Sequence, residues 1–289
     1  MKAVRVLCGF FWGFVAPVFA AEPVILVTIK PLAWMVQALA PAGADVQVLV
    51  PDNISPHEYQ LRPADALRVK NSALLVWVGP GMEPWLVQLA QQQSATKNSA
   101  LLPNALHIEN EDHAHDHNAQ DDPHIWLDPL ALKDHADAVA ERLVQLFPAE
   151  AKNIQQRKTI FAQQMTTLDA ELAARFAPVA AQGFVVYHDG YQRLVQRYHL
   201  NQRAAVWHHE SIAGGVRDRA KLLQLLHSGE VRCLFYEPEH GADVVNNWLG
   251  KTAQNVKMVE IDPMGTSANN YADFMRGLSG KMIDCLSRR

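Results

Sequence analysis

The chain has 289 residues, 49% of them hydrophobic and 19% charged, with a formal net charge of −4 at neutral pH. That mild acidic excess argues against nucleic acid or an anionic lipid surface as a partner. Beyond the first twenty residues no stretch is long and apolar enough to cross a bilayer as a helix.

At the N-terminus Lys2 and Arg5 precede an apolar run, then Pro17 and the small-residue exit at Ala20. An apolar run of about ten residues is too short to span a membrane, so residues 1–20 read as a cleavable secretory signal. The mature chain then starts at Ala21 or Glu22 and carries a net charge of −6, since Lys2 and Arg5 are lost from a total of −4. Cys8 lies inside the apolar run rather than just after the cleavage site, which argues against a lipid anchor. Export leaves Cys233 and Cys285 in an oxidising compartment, where an even number of thiols reads as one disulfide. Two buried free thiols are the alternative.

Strand candidates follow at residues 24–29, 46–50, 73–79, 183–188, 203–207, 233–237 and 256–262, each a short β-rich apolar run. Amphipathic stretches, such as residues 34–39 and 222–226, fall between them. The alternation predicts parallel sheets covered by helices. It is interrupted at residues 148–176, where Ile154, Phe161, Met165, Leu168, Leu172 and Phe176 form one apolar stripe at helical spacing. A helix of about 28 residues would be about 42 Å long. The expected organisation is therefore α/β, with two lobes of parallel-type sheets flanked by helices and joined by one long rigid helix. The N-terminal lobe would span residues 21–147, the linking helix 148–178 and the C-terminal lobe 179–289. Between residues 94 and 122 the periodicity fails, and residues 107–122 form an acidic, histidine-rich loop.

Position, rather than the count of 13 histidines, selects candidates for chemistry. His57 lies in the loop after the second strand, His188 ends the strand at 183–188, and Asp262 ends the strand at 256–262 just before Pro263. Ligand sites in open parallel sheets lie beyond the carboxyl ends of the strands, so these groups stand on the correct edge of each lobe. His124, in DPHIWLDP, comes from the segment that closes the first lobe. Three imidazoles and a carboxylate, two groups per lobe, would form a four-coordinate site in the cleft between lobes. Such a donor set suits Zn²⁺ better than Mn²⁺, which favours carboxylate oxygen. Hydrogen-bonded structural histidines are the alternative reading.

The motifs VTIKPLAWM, SPHEYQLRPADAL, VWVGPGMEPWL, DPHIWLDP, VVYHDGYQRLVQRY, CLFYEP and IDPMG occur in that order along the chain. In this it resembles the metal-binding solute-binding proteins of ABC importers, specifically the zinc-uptake type. The resemblance implies a periplasmic protein that captures Zn²⁺ and delivers it to a membrane permease, a monomer with no catalytic residues and no membrane insertion after signal cleavage. It implies His57, His124 and His188 as metal ligands, with His188 marking zinc members where manganese members carry glutamate, and it matches Asp262 to a C-lobe aspartate that is the fourth ligand in some members and is displaced or replaced by water in others. It also implies a C-lobe disulfide at Cys233 and Cys285.

Two features depart from the family pattern. AAVWHHESIAGG places His208, His209 and Glu210 near a strand end, as altered cleft wall or a second weak site. The histidine-rich loop is short, and its His113, His115 and His117 alternate beside Asp112 and Asp116, as an auxiliary metal scavenger or a plain solvated linker. Glu58, Asp189, Glu237 and Glu239 are candidates for orienting imidazoles. The same scaffold serving manganese or iron is one alternative. A secreted zinc hydrolase is another, but neither His57-Glu58 nor His209-Glu210 is completed to an HExxH motif. Because zinc needs neutral imidazoles, a three-histidine site predicts a loss of affinity as pH falls below about 6.5, marked by about pH 5.

Overall fold

The computed structural model describes residues 22–52, 54–102, 122–209, 212–213, 216–249 and 256–288. The secretory signal and the loop histidines His113, His115 and His117 lie outside the described residues, as does Glu210.

The first lobe is built from β1 (Ile25–Val27), α1 (Lys30–Leu39), β2 (Val46–Val48), α2 (Pro63–Asn71), β3 (Leu74–Trp77), α3 (Val87–Gln92) and β4 (Asn98–Ala100). Its sheet runs β2-β1-β3-β4 with every pair parallel. β1 and β3 are buried along their whole length, which explains their unbroken apolar sequences: helices cover both faces. The sequence predicts a loop over β4. Three residues, Asn-Ser-Ala, on a sheet edge are too few and too polar to show a strand period, and pairing with β3 decides the matter. At the start of α1, Pro31 stands where a missing N–H costs nothing.

The connection between lobes is helical. In α4 (Pro129–Leu146) the Asp128 side chain caps the first turn, accepting from the backbone N–H groups of Leu130 and Ala131. Next comes α5 (Ala151–Phe176), 26 residues and so about 39 Å long. Its buried residues are the six of the predicted apolar stripe. Helix α5 packs on α1 and α4 of the first lobe and on α6 (Gln192–Tyr198) and α9 (Tyr271–Leu286) of the second.

The second lobe comprises β5 (Gly183–His188), α6 (Gln192–Tyr198), β6 (Gln202–His209), β7 (Ile212–Ala213), α7 (Val216–His227), β8 (Val231–Tyr236), α8 (Ala242–Leu249), β9 (Lys257–Glu260) and α9 (Tyr271–Leu286). Its sheet order is β7-β6-β5-β8-β9, parallel except for the short β7, which runs antiparallel to β6. Without β7, both lobes share one order: second strand, first, third, fourth. Each sheet therefore has a switch point beside its first strand, where the crossover direction reverses and a crevice opens at the carboxyl ends. His208 and His209 are the last two residues of β6, which runs beyond the predicted strand. Cys233 of β8 and Cys285 of α9 form the expected disulfide, closing a separation of 52 residues.

The main hydrophobic core is continuous across the lobes. It passes from Ile25 and Met35 through Trp126, Leu143, Phe161 and Leu172 to Phe184, Phe235 and Met282. A shared apolar core of this kind opposes free hinge motion. Ion pairs reinforce the same junction: Arg197 of α6 meets Asp169 of α5 at 2.8 Å, and Arg276 of α9 meets Glu171 of α5 at 2.7 Å. Among the described residues no helix is long and apolar enough to cross a membrane.

Candidate metal centre

His57 sits in the turn at residues 55–58, closed by a hydrogen bond from the Glu58 N–H to the Ser55 carbonyl. The turn is anchored within its own lobe. Trp85 donates its indole N–H to the Pro56 carbonyl at 2.7 Å, and the Tyr59 hydroxyl donates to buried Asp65 at 2.6 Å. The Tyr59 and Trp85 rings also meet edge to face, 5.0 Å apart. At the switch point itself, fully buried Glu83 ties the end of β1 to the loop after β3. It accepts from the Thr28 hydroxyl and from the N–H groups of Val78 and Gly79. Burial pushes its carboxyl up to about 7, although those three donors favour the charged form.

His124 is the residue before a 3-10 turn over Ile125–Leu127. The Asp122 carboxylate accepts from the His124 backbone N–H at 2.9 Å and pairs with the ring Nδ1 at 2.6 Å. This fixes the ring plane and turns Nε2 toward the cleft, the arrangement by which a carboxylate orients a metal-binding imidazole. Burial alone would raise the Asp122 carboxyl. The His124 imidazole, together with backbone N–H groups of His124 and Arg193, instead holds it below the usual carboxylate range.

His188 ends β5 and is followed by Asp189 and Gly190. A methyl group at Gly190 would meet the Nε2 of His124 and the Cε1 of His188, both at 2.9 Å. Glycine there leaves the two rings room to approach each other. Burial, then the neighbouring His124, pushes the His188 imidazole down to about 3, so this ring is neutral throughout the physiological range.

Three of the four predicted ligands converge. His57, His124 and His188 each offer a ligand atom, all within 4.8 Å of one another. The Nε2 atoms of His57 and His124 are 3.3 Å apart although 67 residues separate them. Ring centroids lie 5.2 Å apart for His57 and His124, 5.8 Å for His57 and His188, and 5.1 Å for His124 and His188. Asp262 is not brought into this group. Its Oδ1 accepts from the N–H groups of Met264 and Gly265, and its Oδ2 from the N–H and hydroxyl of Thr266. Of the side chains expected to orient imidazoles, Asp189 accepts from Gln192 and Gln202, and Glu237 accepts from the Tyr191 hydroxyl. The carboxylate on the His124 ring is Asp122, the last residue of the acidic loop. The signal was present in the Asp-Pro-His spacing, which lets a side chain reach the backbone N–H two residues on.

The family profile described as "Zinc-uptake complex component A periplasmic" matches residues 25–285. The chain belongs to this family. Its members are uptake components rather than enzymes. The chain is 29% identical over 299 residues to the high-affinity zinc uptake system protein ZnuA of Yersinia pestis, covering 93% of each chain. It is 27% identical over 325 residues to the protein of the same name from Haemophilus influenzae, covering 94% of this chain and 95% of that one. In fold it is similar to the periplasmic zinc binding protein TroA from Treponema pallidum, with a TM-score of 0.77 at 20% identity over 92% of this chain and all of that one. A crystal structure of ZnuA gives a TM-score of 0.74 at 20% identity, covering 92% of this chain and 99% of that chain.

Proposed function

We propose that this protein captures Zn²⁺ in the periplasm with high affinity and delivers it to the permease of an ABC importer. The observation that carries the reading is the convergence of three imidazoles from two lobes within 4.8 Å. Zn²⁺ is the cargo, held by His57, His124 and His188, with water completing four-coordination. Neutral nitrogen donors favour it over Mn²⁺, and among the described residues no carboxylate joins the converging group. The Asp122 contact adds basicity to His124 without spending a coordination position. Family membership supports the transport role and the periplasmic setting. In this reading residues 1–20 are the export signal and the mature chain acts as a monomer. His113, His115 and His117 fit an auxiliary scavenger of incoming metal.

The delivery step is tested in cells lacking the chain and grown under zinc limitation. Wild-type chain restores growth and zinc uptake, and His57→Ala or His188→Ala chain does not. Equal rescue by the histidine variants would contradict a role for the cluster in transport.

A further inference from the structure

We propose that Asp262 is a positioning residue of the metal centre rather than one of its ligands. It closes a turn in the second lobe that holds Trp126, and through Trp126 the ring of His124. The proposal rests on the zinc reading of the three-histidine group.

The turn at residues 262–266 is organised by one carboxylate. Asp262 takes three consecutive backbone N–H groups, from Met264, Gly265 and Thr266, and the Thr266 hydroxyl, at 2.6 to 3.0 Å. An ionised carboxylate offers about four lone-pair sites, so four donors leave it little capacity for a metal. Gly265 is left-handed at φ +63°, and a side chain there would strike Phe274 and Trp34, both at 2.7 Å. The backbone is thus pressed against α1 and α9 at the lobe junction.

With its N–H groups turned inward to Asp262, the turn presents carbonyls to the first lobe. The Trp126 indole N–H donates to the Pro263 carbonyl at 2.7 Å, and the Lys30 ammonium donates to the Thr266 carbonyl. Trp126 is fully buried, its own carbonyl accepts from the Tyr271 hydroxyl at 2.8 Å, and its ring lies 5.2 Å from that of His124. Arg193 of α6 holds the same segment from the other side, donating from its backbone N–H to Asp122 at 3.2 Å and from its guanidinium to the Asp122 carbonyl. Asp262 therefore stands at the head of a chain of contacts that ends on a site imidazole.

The test uses Asp262→Ala, the conservative Asp262→Asn, and Trp126→Phe, which removes the donor to Pro263. In metal-free protein, Asp262→Ala should speed exchange of the Trp126 indole hydrogen about tenfold or more, because the hydrogen bond protecting it loses its fixed acceptor. Zinc affinity should fall about ten- to a hundredfold, as for other groups that orient ligands. The absorption bands of Co²⁺-loaded protein should keep their position, since the ligand set is unchanged. Asp262→Asn retains one oxygen for the Met264 and Gly265 donors and should recover part of both losses. Asp262→Ala and Trp126→Phe should combine with less than additive effect on zinc affinity, because they cut the same chain. If Asp262→Ala does not fold, Asp262→Asn and Trp126→Phe carry the same comparisons.

Unchanged indole exchange overturns the positioning role whether or not zinc binds. Shifted Co²⁺ bands with fully additive losses overturn it too, and assign Asp262 to the metal. A wild-type protein with no tight zinc site defeats the zinc reading first and the positioning role with it, an outcome the indole measurement separates from failure of the turn alone.

Discussion

His57 and His124 both belong to the first lobe in sequence, yet they are held by different halves of the molecule. The His57 turn is fastened by Trp85, Tyr59 and Asp65, all of its own lobe. The His124 segment takes bonds from Arg193, Pro263 and Tyr271 of the second lobe, and its ring shares space with Gly190. In mechanical terms the second lobe organises two histidines of the three, and the first lobe presents one. A displacement of the His57 turn would thus break the triad while leaving the His124 and His188 pair in place. The continuous core makes such a local change less costly than separating the lobes.

The largest expected effect falls on one lobe alone. Reducing Cys233–Cys285 should destabilise the second lobe by about 4 kcal/mol, from the entropy of a closed loop of 52 residues. Hydrogen exchange should show the loss centred on β8 and α9, and equal loss in both lobes would break the proposed division. Next, His57→Ala should cost zinc affinity on the order of several hundredfold, one ligand's share of the roughly 10–16 kcal/mol typical of a structural zinc site. The protein's fold should persist, because the His57 turn is held by groups other than the histidine. Calorimetric titration with circular dichroism checks both parts.

A pH experiment isolates the first lobe. Glu83 has a folded-state pKa of about 7 against an ordinary value of 4.5. Its contribution to stability is complete below pH 4.5 and is lost as pH rises through 7, a change of about 3 kcal/mol for this buried group. Glu83→Gln should flatten the fall in thermal midpoint between pH 5 and 8, and an unaltered profile would count against it. The smallest effect sharpens the comparison most. Arg193→Ala should weaken zinc about tenfold, at the lower end for orienting groups, while leaving the Tyr59 and Trp85 anchor of His57 unaltered. Zinc competition would report the loss at the His124 segment, and hydrogen exchange at the Trp85 indole would show whether the anchor of His57 is unaltered.

Much of this architecture was legible in the sequence. The six-residue stripe of α5 stands out because apolar residues at steps of seven, four, three, four and four leave no other regular structure, and burial follows it residue for residue. β1, β3 and most of β5 are legible because strands covered on both faces need unbroken apolar runs, and β8 is legible from Cys233 onward, past the exposed Arg232. β4 was not, since an edge strand of three residues, two of them polar, carries no period. Of the site, His57 and His188 could be placed at strand ends, and the family motifs singled out His124. Their convergence depends on two crossovers and a packed lobe junction that no spacing encodes. Asp122 was hidden because the acidic run before it reads as solvated loop. Asp262 illustrates the opposite difficulty: its position at a strand end suggests a ligand, and only the turn that follows shows where its oxygens are directed.

The proposed zinc site is made of three histidines shared between the lobes. The direct measurement strips the mature protein of metal and titrates it with Zn²⁺ and with Mn²⁺ against a competing chelator, reading tryptophan emission with Trp126 beside His124 as the local reporter. The expected result is one tightly bound zinc per chain and much weaker manganese. Manganese bound as tightly as zinc, or the absence of any tight site, would contradict it.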